Sequence, residues 1–128
     1  MQDLQYPIGP FEMGPSPDLS VRLVLLSQLA EVPDRLRAAV AELSQSQLDT
    51  PYRPGGWTIR QVVHHLADAN MNWYVRTKLA LTEENCLVKP HDESRWAELC
   101  DARSAPVEPS LMLLDGLHRR WIELLRSL

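Results

Sequence analysis

An all-α bundle is the fold class this sequence predicts, and three observations predict it. Apolar residues recur at three- and four-residue steps through three long stretches, which is the spacing of one helix face. No run alternates apolar and polar residues between turn signals, as a half-buried strand would. A complete helix-start signature stands at Thr58, where Thr58 and Gln61 match the Ser/Thr-x-x-Glu/Gln capping box. The expectation is three long helices and a short one around one core.

The bulk properties agree and exclude several function classes. A chain of 128 residues is long enough for one domain with a buried core. A net charge of −4 with no Lys/Arg cluster argues against a nucleic-acid partner. No apolar run approaches the roughly 18 residues of a membrane span, so no membrane partner is expected. The N-terminus lacks the basic and apolar regions of a signal peptide. Cys86 and Cys100 are too far apart for a CxxC motif. They read as reduced thiols of a cytoplasmic protein.

Residues 1–18 carry Pro7, Pro10, Pro15 and Pro17, which exclude helix and central strand. An extended arm is expected, pinned to the core through Tyr6, Ile8, Phe11 and Met13. The first helix spans 19–44, with Leu19, Leu23, Leu26, Leu29/Ala30, Leu36, Val40 and Leu43 as its stripe. Pro33 lies inside this pattern, so a kink or break near Val32 is expected. SQSQLDTPYRPGG then reads as turn-forming. Gly55 and Gly56 permit the turn into the next helix, and Trp57 with Val62 matches a hydrophobic staple.

The second long helix is expected from Thr58 to about Thr82. On a wheel of about 100° per residue, Ile59, Val62, Val63, Leu66, Ala69, Trp73, Ala80 and Leu81 form its apolar arc. Gln61, His65, Asp68, Asn72 and Arg76 form a polar row along one border. His65 thus points toward an inter-helix pocket, and His64 faces away. A short helix is expected from about Glu93 to Cys100, with Trp96 and Leu99 inward. The last helix begins near Pro109, a favourable first-turn residue, with Leu111, Leu114, Leu117/His118, Trp121, Leu124/Leu125 and Leu128 as its stripe.

Histidine is the residue type here that best suits chemistry. A metal site in a bundle needs imidazoles projecting inward from facing helices. His65 and His118 stand near core faces; His64 and His91 are placed less well. Asp68, one turn beyond the histidine pair, is a candidate to orient an imidazole, or is simply a solvated acid. Asn72 joins it as a candidate contact. Arg76 and Arg53 are candidates to hold an anionic ligand, or only to make surface pairs. Trp57 is core residue or substrate wall. No Gly-rich phosphate loop, GxSxG or HExxH motif is present.

The segment RPGGWTIRQVVHHLADANMNWYVRTKLALTE resembles the DinB/YfiT-like superfamily, specifically its YfiT-type metal-dependent hydrolases and their bacillithiol S-transferase relatives. YPIGPF, KLALTEEN, KPHDESRWAEL and SLMLLDGLHRRWIELLRSL extend the likeness along nearly the whole chain. The resemblance implies a DinB-like up-down four-helix bundle, a divalent metal (zinc or nickel) and a homodimer. It implies that His65, the histidine directly before Leu-Ala, is one metal ligand, with two more from an HxxxH pair on a C-terminal helix. It further implies hydrolysis, or transfer of a low-molecular-weight thiol such as bacillithiol, on small electrophilic substrates; a bound metal would activate the water or the thiol. No HxxxH occurs in these 128 residues. A C-terminally incomplete bundle is therefore expected, with the fourth helix absent, an uncovered apolar face and a tendency to self-associate. The alternative reading is a catalytically inactive bundle acting as a dimerisation or binding module.

Overall fold

The computed structural model describes residues 3–128. Its order is α1 (Leu19–Val40), α2 (Gln45–Leu48), α3 (Ile59–Thr82), α4 (Glu93–Ala97), α5 (Cys100–Arg103) and α6 (Glu108–Arg126). There is no strand among the described residues, only an isolated bridge between Pro51 and Thr58. No helix is long and apolar enough to cross a membrane. The three long helices form the body, with α6 packed against both α1 and α3.

Met1 and Gln2 of the expected arm lie outside the described residues. The remainder is free of helix and strand, as its prolines require. Of the expected pinning residues only Tyr6 makes contact. Ile8, Phe11 and Met13 are 86–98% exposed. Contact is made nearer the start, where Asp3–Gly9 folds into turns (Tyr6 N–H to Asp3 O, 3.1 Å; Gly9 N–H to Tyr6 O, 3.0 Å). These turns bring Leu4, Gln5 and Tyr6 to the loop ahead of α3.

α1 starts where Asp18 Oδ1 accepts from the Val21 N–H at 2.9 Å. The expected break at Pro33 does not occur: the helix runs through it to Val40. Pro33 lacks the N–H that would serve the Leu29 carbonyl. That carbonyl instead lies 2.9 Å from His118 Nδ1 on α6. A tertiary donor replaces the missing helical one, and the helix continues.

The supposed turn SQSQLD contains α2. Ser44 and Gln47 form a capping box of the same kind as Thr58 and Gln61, so this helix was legible by the rule that found α3. At α3 the box is complete in both directions, Gln61 N–H to Thr58 Oγ1 at 3.1 Å and Thr58 N–H to Gln61 Oε1 at 2.9 Å.

The expected apolar arc of α3 holds at Ile59 and Val63, which join the core, and fails toward the C-terminal end. Trp73 and Leu81 are about half exposed, at 55% and 47%, and Ala80 is exposed. The residues inside are Arg60, Gln61, Val63, His64 and Ala67. Three of those five are polar, and each is buried because it is hydrogen-bonded. Gln61 Nε2, for example, donates to the Ala97 carbonyl at 2.8 Å. Apolar periodicity cannot register a face that is buried through satisfied polar groups.

The single helix expected over 93–100 is two. Leu99, placed inward by the sequence, adopts extended backbone (φ −70°, ψ 154°) as the cap of α5 and is 57% exposed. Ala97 and Ala102 are the residues that pack inward. α6 agrees with expectation, with Pro109 in its first turn and Leu111, Leu114, His118 and Trp121 buried; Ile122 joins them, while Leu128 is exposed. Val40, Leu48, Val63 and Leu111 form one core cluster, flanked by Leu36, Leu43, Ile59 and Val107. On α1, Leu19, Leu23, Val24 and Leu25 are 49–70% exposed.

Candidate functional site

The four histidines divide into two pairs by what their ring nitrogens touch. His64, far from facing away, is buried: Nδ1 meets Ser110 Oγ at 2.7 Å and Nε2 the Ala105 carbonyl at 3.1 Å. His118 is 2% exposed, with Nδ1 on the Leu29 carbonyl and Nε2 3.0 Å from Asn70 Oδ1. Either ring would have to break these bonds to bind a metal. His65 has no hydrogen bond at either nitrogen among the described residues. His91 packs at a tilt against Trp96 with ring centroids 4.6 Å apart, and its Nε2 is buried without a hydrogen-bond partner among the described residues.

His65 lines a cavity of about 440 Å³. One wall is the arm, through Gln5 and Tyr6; a second is the loop from Tyr52 to Trp57; a third is the start of α4, Glu93 and Ser94. The loop is held in shape by backbone bonds, Tyr52 N–H to Trp57 O at 3.0 Å and Ile59 N–H to Thr50 O at 3.1 Å. It presents Trp57, whose ring lies 4.8 Å from that of His65 at 55°. The indole fixes the imidazole by packing and leaves its nitrogens free. An apolar annex of about 390 Å³ continues past Leu4, Pro7, Tyr52 and Trp57 toward Ile59 and Val62.

The electrostatics follow from partial burial. Burial holds the His65 imidazole below its usual value, opposed by the Glu93 carboxylate, reinforced by His91 and opposed again by Asp68. Burial pushes the Asp68 carboxyl up; Asp101 adds to this, and the histidines at 65, 64 and 91 oppose it. A neutral imidazole with an open nitrogen is a metal ligand, a proton acceptor or a hydrogen-bond partner for substrate. Because the unfolded chain protonates His65 more readily than the folded one, its contribution to stability falls as pH drops through about 6.5. Urea unfolding at about pH 7 and about pH 5.5 is expected to show this loss, and His65→Asn to reduce it; an unchanged pH slope in the variant would contradict the assignment.

Trp57 is in the cavity wall, and Asp68 is half-buried one turn from His65. Asn72 turns back onto its own helix, Nδ2 donating to the Asp68 carbonyl at 2.8 Å. Arg76 anchors the loop before α4 by donating to the Lys89 carbonyl at 2.9 Å, under the Trp73 ring, and does not line the cavity. Tyr6 is expected from the sequence only as a pin for the arm, and Tyr52 and Glu93 are not marked by it; only the fold brings arm, loop and α4 together. Among the described residues no three His, Cys, Asp or Glu side chains are grouped to hold a metal ion. A catalytic divalent metal takes about three protein ligands, so the residues present offer one suitable donor, His65, and not a complete set. Both cysteines are free, Cys100 exposed and Cys86 half-buried.

A helical body with this histidine-bearing second long helix defines a protein class, and residues 28–128 match the family model for the DinB superfamily; the chain belongs to that superfamily. Within it, the chain is similar to a Geobacillus thermodenitrificans protein named "Putative metal-dependent hydrolase", at 54% identity over 125 residues, covering 98% of this chain and 70% of the relative. A similarly named Bacillus mycoides protein is 49% identical over 128 residues, covering 100% of this chain and 73% of its own length. Among solved structures, YfiT from Bacillus subtilis superposes with a TM-score of 0.95 at 51% identity, over 98% of this chain and 71% of that one. That protein is described as a probable metal-dependent hydrolase with an unusual four-helix bundle topology.

Proposed function

We propose that the His65 cavity is the substrate site of a metal-dependent hydrolase, or of a thiol S-transferase acting on small electrophiles, in which His65 is one ligand of a divalent metal such as zinc or nickel. The observation that carries this reading is the open imidazole. Of the three helix-borne histidines, His65 alone has both nitrogens without a hydrogen-bond partner among the described residues, and it lines a cavity of substrate size. The names of the relatives support the metal-dependent reading. Their matched length leaves 27–30% of each outside the alignment, and the family resemblance assigns an HxxxH pair on a C-terminal helix to supply the other two donors.

The chain's own residues do three things at this site. Trp57 holds the His65 ring by a tilted ring contact. Burial keeps that ring neutral and available as a donor. Aromatic and arm residues enclose the substrate against water.

The test is a chimera that joins to this chain the part of the Geobacillus relative that lies outside the matched residues. Metal analysis is expected to find about one zinc or nickel per chain, lost on His65→Ala. A metal-dependent rate of ester hydrolysis or of thiol conjugation to a model electrophile then decides between water and thiol. Full metal content in the His65→Ala chimera would sink the ligand assignment.

A further inference from the structure

We propose that Arg53 is the anchor for a carboxylate on the small molecule that occupies the His65 cavity. This rests on the reading of that cavity as a substrate site and adds the charge class of the substrate.

Arg53 is half-buried in the cavity wall. Its Nε–H donates to Tyr52 Oη at 2.9 Å, and its guanidinium carbon lies 5.3 Å from the centre of the Tyr52 ring. Nη1 reaches only the Pro54 carbonyl, at 3.5 Å. No carboxylate pairs with it among the described residues, and it is the arginine that lines this cavity. The guanidinium is therefore held in place by neutral groups, with its charge uncompensated and donors to spare.

The turn is built for this arrangement. Gly55 has a positive φ of +70°, which favours glycine. At Gly56 a Cβ would lie 2.6 Å from Arg53 Cγ and 2.9 Å from Tyr52 Cε1. Any larger residue there would push the arginine and the tyrosine off the turn. Of the two glycines beside Trp57, Gly55 permits the turn and Gly56 leaves room for the Arg53 and Tyr52 side chains.

A planar, prearranged guanidinium recognises carboxylates through paired N–H donors. The balance of charge in the cavity selects a monoanion. Glu93 lines the same cavity without pairing to Arg53 and acts on His65. The Glu93 carboxylate repels a dianion more than a monoanion, and the paired N–H donors of Arg53 match a single carboxylate. Tyr52 and Trp57 offer the substrate an apolar wall on the way to the annex.

The experiment compares phenylacetate with phenylacetamide, equal in shape and different in charge, and with inorganic phosphate, by NMR titration of the 128-residue chain. Phenylacetate is expected to shift the Arg53 Nε–H and Trp57 indole signals saturably, and phenylacetamide to bind about tenfold more weakly. Arg53→Gln should bring phenylacetate down to the level of the amide. Tyr52→Phe, at an exposed residue, keeps the charge but releases Nε, and should weaken binding about threefold. Equal binding of the amide, unchanged binding by Arg53→Gln, or tighter binding of phosphate than of phenylacetate would each overturn the proposal. The metal reading fails separately: charge-selective binding in a chimera without metal would overturn that reading alone, and metal bound at His65 without charge selectivity would overturn only this one.

Discussion

Arg60→Ala is expected to destabilise the fold by about 3 kcal/mol, because it removes the donor group that joins three segments. Arg60 is 4% exposed, in the first turn of α3. Its Nε bonds Asp49 Oδ1 at 2.7 Å, Nη1 the Ala105 carbonyl at 3.0 Å and Nη2 Gln45 Oε1 at 2.8 Å. Truncation leaves these acceptors without their donor and opens space beside the core. Arg60→Met keeps most of the stem and separates lost packing from lost hydrogen bonds; a loss nearly as large as that of Ala is expected if the bonds dominate. Asp49→Asn should cost less, since that side chain is 53% exposed and water screens the pair. Urea unfolding of the three variants checks the ranking. An Arg60→Ala protein as stable as wild type would show that the buried guanidinium does not hold α2, α3 and the 105 loop together.

The second large effect is expected at His118. His118→Leu keeps an apolar body of similar size but removes both ring nitrogens, at a cost of about 2–4 kcal/mol. The reason lies on another helix. Pro33 has already deprived the Leu29 carbonyl of its helical donor, and His118 Nδ1 is what replaces it. Without the imidazole, that carbonyl is unsatisfied in the interior. Pro33→Ala restores the helical N–H, so the double variant should recover part of the loss, with a coupling of about 1 kcal/mol in the cycle. Strict additivity would disprove the link.

His118 also carries a pH dependence. Burial holds its pKa below the usual value, and the bond to the Leu29 carbonyl partly opposes this. Both of its hydrogen-bond partners are drawn as acceptors, because Asn70 Nδ2 is engaged with the Leu66 carbonyl at 2.7 Å. A neutral ring satisfies only one of them unless the Asn70 amide rotates. On balance the unfolded chain takes the proton more readily, so this residue too makes the fold weaker below about pH 6.5.

Much of the fold was legible before any coordinates. The all-α class, the three long helices, the capping box at Thr58 and Pro109 in the first turn of α6 all follow from rules that act over three or four residues. So did α2, had the Ser44/Gln47 box been read as the Thr58/Gln61 one was. The errors share one cause. The break at Pro33, the outward-facing His64 and the arc through Trp73 and Leu81 each came from counting apolar residues or local donors on a single helix. In the folded chain Arg60, Gln61 and His64 go inside because α2, α5 and the loop before α6 bring acceptors to them, and Pro33 is tolerated because α6 brings a donor.

The candidate site divides in the same way. Sequence by itself determined the helix that carries His65, the Gly-Gly turn before it and the membership of a family whose relatives are named metal-dependent hydrolases. Those are properties of local hydrogen bonding, backbone freedom and residue order. Only the tertiary structure decided which histidines are open: those at 64 and 118 have both ring nitrogens against groups 41 to 89 residues away in the chain, while His65 is left to Trp57 and the cavity. It also decided that Arg53, not Arg76, lines the His65 cavity: Arg76 is occupied by the Lys89 carbonyl, and Arg53 has no carboxylate paired with it among the described residues. Whether a polar side chain is spent on structure or available for chemistry depends on partners distant in sequence, and packing is what brings those partners into contact.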